Sequence, residues 1–219
     1  TVVLPVGEEL DFNQRGPKSV LAAFESHTIS GIPFYQSVES KFPKNERPIG
    51  AGLGYSKFIS FNKESNNLNG AIFVVTTRNL SKDQQHYGLY HNTPVEGIDS
   101  ILDKVIQEAN EQKIESISVP LLGTGYANIA VTHNNKLLKA KLDKIVALIS
   151  MQKFEEALKN KTSKLKRAII VVYSNNHYSA EEAAIWKDIV KFAAKSKEEQ
   201  ITDIKNEIKQ FQEAAEQSS

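Results

Sequence analysis

Residues 71–77, Ala-Ile-Phe-Val-Val-Thr-Thr, are apolar or β-branched at every position. A strand with one wet face alternates polar and apolar side chains, so a run with no polar face belongs between two covering layers, as in the centre of an α/β sheet. Residues 114–122 read as another buried strand, and 168–173, Ala-Ile-Ile-Val-Val-Tyr, as the last strand. Between and after these runs the apolar spacing changes from two to three or four. Val95, Ile98, Ile101, Leu102, Val105 and Ile106 mark one helix face within residues 94–110, and Leu137, Leu142, Ile145, Ala147 and Ile149 mark another within 130–158. Strand and helix in alternation predict a three-layer α/β/α fold. Residues 56–61 form a further strand separated from 71–77 by the turn-forming stretch 62–70, and that hairpin makes the sheet mixed.

The first strand is expected at residues 2–6, closed by Gly7 and followed by a loop to residue 17 that is rich in acids and turn formers. A helix is expected over 20–24, and 30–48, with Gly31, Pro33, Pro43 and Pro48, is expected to cross the surface without regular structure. From residue 180 onward Ile185, Ile189 and Phe192, then Ile201, Ile204, Ile208 and Phe211, recur at helical steps, with a capping signature at Ser196-x-x-Glu199 marking a restart. This divides the chain into an α/β unit, 1–178, and a helical extension, 179–219. The narrow apolar stripe of the extension suits either packing on the domain or pairing with another subunit as a homo-oligomer.

The net charge of +1 over 219 residues disfavours a general polyanion binder, and no nucleic-acid partner is expected. Charge is uneven: residues 136–167 hold ten Lys and Arg against three acids, a net of +7, and 181–219 hold nine acids against six Lys, a net of −3. Without interleaved aromatics these read as solvated helix faces. The chain has no cysteine, which excludes disulfides and thiolate chemistry and suggests a cytoplasmic setting. No apolar run is long enough to span a bilayer. The sequence opens at Thr1 inside an apparent strand, from which an upstream segment, membrane-anchoring in the parent protein, is expected.

The chemistry concentrates in residues 118–126, Ser-Val-Pro-Leu-Leu-Gly-Thr-Gly-Tyr, a strand running straight into Gly-x-Gly. Backbone amides in such a turn converge on an anion, and glycine lets a diphosphate approach without meeting a Cβ. Thr124 offers a hydroxyl donor. Gly-x-Gly alone is as often an ordinary tight turn. The whole run, and its place in the strand order, resembles the phosphate loop of macro domains. The resemblance implies that the amides of Leu122, Gly123, Thr124, Gly125 and Tyr126 hold the diphosphate of ADP-ribose or an ADP-ribose conjugate, with Tyr126 bordering the distal ribose.

Hydrolytic macro domains carry an asparagine and three glycines after the first strand. Here that stretch, residues 4–12, reads Leu-Pro-Val-Gly-Glu-Glu-Leu-Asp-Phe. It is more similar to the divergent macro domain of Thoeris antiphage effectors, through Leu4-Pro5-Val6, Asp11, Pro48-Ile49-Gly50 and the run Pro120 to Gly125. That resemblance implies a receptor for a nucleotide messenger supplied, without direct contact, by a TIR-domain enzyme. The candidate ligand-binding set is Val6, Gly7, Glu8, Asp11, Gly50, Thr77, Arg78, Leu122, Gly123, Thr124, Gly125, Tyr126, Tyr173 and Asn175.

Within that set Glu8 and Asp11 suit amine or hydroxyl groups of a ligand, or a helix cap. Thr77 and Arg78 close a strand, and Tyr173 could stack on adenine or lead into a helix cap. His86 and His91 fit no zinc spacing, and no catalytic residue, metal or cofactor is assigned. A nucleotide sensor ranks first, an ADP-ribosyl hydrolase second, and a protein or nucleic-acid interaction domain third.

Overall fold

A computed structural model describes residues 1–10, 12, 20–61, 68–77, 95–124, 135–172 and 179–217. Its main sheet comprises β1 (Val2–Gly7), β4 (Ser56–Ser60), β5 (Gly70–Thr77), β6 (Ser116–Pro120) and β7 (Arg167–Val171), in the order β4-β5-β1-β6-β7. β5, β1, β6 and β7 run parallel, and β4 pairs antiparallel with β5. A separate two-stranded ribbon joins β2 (Thr28–Ile29) to β3 (Ile32–Pro33).

The alternation of strand side chains divides the core. On one face Val3, Ile72, Val74, Ile117 and Val119 pack with α2 (Val95–Glu111) and α3 (Lys136–Lys159). On the other Leu4, Val6, Ala71, Phe73 and Val75 pack with α1 (Phe34–Lys41) and with Leu10 and Phe12 of the loop after β1. β1 and β5 are therefore covered on both sides, as their composition requires. This is a mixed α/β/α arrangement of the kind the sequence predicts.

Two local expectations fail. Residues 30–48 contain α1, because Phe34, Tyr35 and Val38 fall on one helix face and are buried, and Phe42 follows on that face as the C-cap. The prolines that suggested irregular chain sit outside the helix. Pro33 stands at the N-cap, where a missing N–H costs nothing, and Pro43 follows the C-cap. Residues 20–24 give only a 3-10 turn at Ala22–Phe24, with no side-chain cap.

α3 begins at Lys136, with the Asn135 side chain accepting from the Leu138 amide at 3.0 Å, and residues 130–134 lie outside the described set. Every residue from Ile145 to Ser150 is buried. A helix buried all round needs cover on both sides, and the extension supplies the second. It forms α4 (Ala180–Trp186), α5 (Ile189–Phe192) and α6 (Lys197–Glu216), with capping boxes at Ser179–Glu182 and Ser196–Glu199. Ile204, Ile208, Phe211 and Ala214 of α6 join the core around α3. Lys144 pairs with Glu207 at 2.5 Å and Gln200 donates to Glu155 at 2.9 Å. The apolar stripe of the tail is thus covered by its own chain. Among the described residues, no helix is long and apolar enough to cross a membrane.

Candidate functional site

Because β1, β5, β6 and β7 are parallel, their carboxyl ends share one edge of the sheet. β1 lies between β5 and β6, so the loops leaving β1 and β6 diverge over neighbouring strand ends, the place where open α/β sheets leave a crevice. The register of β1 against β5 slips at this end, putting Gly7 opposite Thr77 rather than Thr76. Such an irregularity bends a strand end and re-aims the chain beyond it.

The β1 loop turns at once. The Leu10 amide donates to the Gly7 carbonyl at 2.9 Å, and Leu10 adopts φ 50°. The next segment to reach this edge is the approach to β4. Gly54 donates to the Val75 carbonyl at 2.8 Å and the Val75 amide donates to the Tyr55 carbonyl at 2.9 Å, which ties residues 54–55 to the carboxyl end of β5. Gly50, with φ 66°, precedes them.

The β6 loop turns at Gly123, whose φ of 74° is a conformation that glycine adopts without strain. Leu122 is wholly buried and anchors the turn from below. The Thr124 hydroxyl donates to the Leu121 carbonyl at 2.9 Å and also contacts the carboxyl of Asp143, which is paired with Lys139. Burial pushes the Asp143 carboxyl above the ordinary aspartate range, while Lys139 and the hydrogen bond with Thr124 pull it back. The loop is thereby fastened to the second turn of α3.

The structure brings Val6, Gly7, Glu8, Thr77, Leu122, Gly123 and Thr124 to this edge, with the Gly50 segment beside β5. Asp11, Arg78, Gly125, Tyr126, Tyr173 and Asn175 lie outside the described residues, as do His86 and His91. Val6 and Leu122 have their side chains in the two cores, at 3% and 0% exposure, so they can present only main chain to a ligand. Thr124 differs from expectation: its hydroxyl is engaged within the loop and with Asp143. Among the described residues no cluster of His, Cys, Asp or Glu could hold a metal ion.

No family sequence model and no curated protein sequence matches the chain. Solved structures do. A single-residue mutant of the Oceanobacillus iheyensis macrodomain, solved with ADPR (ADP-ribose), superposes with a TM-score of 0.53 at 17% identity, over 89% of this chain and 87% of the other. The chain has the macro-domain fold. The same Oceanobacillus iheyensis macrodomain with ADP gives a TM-score of 0.51 at 16% identity, covering 87% of this chain and 83% of that one. The macro domain of ganglioside induced differentiation associated protein 2 gives 0.51 at 14% identity, over 86% and 74%. The backbone arrangement is therefore shared, and the site rests on this chain's own residues.

Sequence reading missed Arg47 and Asp143. Arg47 lies in a stretch read as irregular. Asp143 stands in a basic helix, and the signal for it was an acid set between Leu142 and Ile145 on the buried side, four residues after Lys139.

Proposed function

We propose that this chain binds an ADP-ribose-type nucleotide across the carboxyl ends of β1 and β6, with the amides of Leu122, Gly123, Thr124, Gly125 and Tyr126 on the diphosphate. The observation that carries the proposal is the turn at Gly123, φ 74°, directly after a strand that borders the switch point. A turn of that geometry presents successive N–H groups to one anion. Fold neighbours solved with ADPR and with ADP support the ligand class.

The finer reading is a receptor domain of an antiphage effector, responding to a messenger made by a TIR-domain enzyme and not consuming it. It rests on the Leu4-Pro5-Val6, Pro48-Ile49-Gly50 and Pro120 to Gly125 stretches and on the replacement of a glycine-rich first loop by Glu8-Glu9-Leu10-Asp11. Those carboxylates are also the groups an ADP-ribosyl hydrolase reading would use, as general bases toward a water. The test is a calorimetric titration with ADP-ribose and with conjugates bearing different groups on the distal ribose. Saturable one-to-one binding that discriminates among the conjugates supports the receptor. A chain that binds none of them does not have this function.

A further inference from the structure

Arg47 is a charged side chain with only 4% of its surface exposed. Its Nε and Nη2 donate to the Phe42 carbonyl at 3.1 and 2.9 Å, and Nη1 donates to the Leu10 carbonyl at 2.8 Å. Nη2 also pairs with Glu39 at 2.5 Å. The guanidinium carbon lies 4.3 Å from the centroid of the Phe12 ring and 5.7 Å from that of Phe42.

These contacts have one common effect. They join the C-terminal end of α1 to the residues on either side of position 11, in the loop that leaves β1. Leu10 adopts φ 50°, a backbone region that strains a residue with a side chain and persists only where surroundings enforce it. Its side chain is fully buried in the α1 face of the core, and its carbonyl is held by Arg47. A planar fork with several donors suits this task. A lysine could not hold both carbonyls in the same rigid geometry.

We infer that Arg47 is a positioning residue for the nucleotide site, holding the β1 loop in its binding-competent shape from outside the crevice. The inference rests on the proposed nucleotide site. The hydrogen bonds and ring contacts of Arg47 go to α1 and the β1 loop, so its influence on a ligand runs through Leu10 and Phe12. When a competent conformation is only fractionally populated, apparent affinity falls by that fraction.

The experiment compares wild type, Arg47→Lys, Arg47→Gln and Glu39→Gln, with Phe154→Leu in α3 as a control for general destabilisation. Amide exchange at Leu10, whose N–H bonds to Gly7, is followed without ligand, and the dissociation constant for ADP-ribose is measured well below each melting temperature. In wild type the Leu10 amide is expected to exchange slowly. Both Arg47 variants should accelerate it and weaken ADP-ribose about tenfold, the factor expected when the loop is competent about a tenth of the time. Glu39→Gln keeps the fork and should stay within about twofold. Phe154→Leu should lower the melting temperature and leave both readouts unchanged. Fast Leu10 exchange in wild type, or Arg47 variants that match the Phe154→Leu control, would overturn the inference. Should wild type bind no ADP-ribose, the nucleotide reading fails, and the exchange of Leu10 in Arg47→Lys still decides whether this residue sets the loop.

Discussion

The hydroxyl of Thr124 meets the carboxyl of Asp143, so the turn that leaves β6 is bonded to a residue two turns into α3. The same hydroxyl donates to the Leu121 carbonyl at 2.9 Å, and Asp143 is paired with Lys139. A buried carboxyl beneath a proposed phosphate loop works against anion binding unless it is neutralised, and Lys139 is the neutralising charge. The arrangement holds the loop by electrostatics that respond to pH.

Burial raises the Asp143 carboxyl above its usual range, so the folded protein holds this proton more tightly than the unfolded chain does. Its unfavourable contribution is absent below the ordinary aspartate pKa and grows as the pH rises from there through the raised value. The stability of wild type relative to Asp143→Asn should therefore decline across that window and level off above it. Carboxylates shifted downward, such as Glu182 and Glu199 in the capping boxes, act in the opposite sense but cancel in the difference. Urea unfolding of both proteins across the acidic range measures this. A difference that rises with pH would show that the pair with Lys139 outweighs burial.

At Gly123 the backbone stands at φ 74°, so Gly123→Ala places a Cβ in a left-handed conformation and should cost about 1 kcal/mol of stability. Denaturant midpoints report it. No loss would mean that the turn relaxes to another geometry, and the anion cradle would go with it.

The layered fold was legible because β5 has no polar face and the segments holding α2 and α3 carry apolar residues at helical steps, patterns that survive whatever the loops do. α1 was not, since prolines at 33 and 43 look like interruptions until it is seen that they stand just outside the helix they bound. The β6 turn could be read from its glycines. Arg47 and Asp143 could not, because each matters through a contact with chain far away in sequence: Leu10 lies 37 residues before Arg47, and Thr124 reaches Asp143 across the crossover into α3. A charged residue also reads as surface until its partners are known.

The extension should behave as part of the core. Phe211 is 8% exposed and packs with the α3 cluster, so Phe211→Ala is expected to cost about 3 kcal/mol, the lower end for a buried aromatic. Removing residues 197–219 uncovers the outer side of α3 and should lower the melting temperature sharply. Calorimetry on the truncated chain checks this. An unchanged melting temperature would make the tail a separate appendage.

Binding is expected without turnover. Hydrolysis requires a water held beside the anomeric carbon and groups that stabilise developing charge, and the first loop here reads Glu8-Glu9-Leu10-Asp11 in place of the asparagine and glycines of hydrolytic macro domains. Incubating the protein at high concentration with ADP-ribosylated protein and following released ADP-ribose over hours tests it. Multiple turnovers, lost on replacing Glu8, Glu9 or Asp11, would make the chain an enzyme.

Nucleotide binding stands or falls on the β6 turn, whose backbone amides are proposed to hold the diphosphate of an ADP-ribose-type ligand. Gly123→Glu places a carboxylate where two phosphates must meet those amides, and it alters no residue of the Arg47–Leu10 hydrogen bond or the Lys139–Asp143 pair. Calorimetric titration of ADP-ribose into wild type and Gly123→Glu, with circular dichroism to establish that both are folded, measures it directly. Saturable binding to wild type and none to the folded variant is the expected result. Equal affinity in the two proteins, or no binding to wild type, would contradict it.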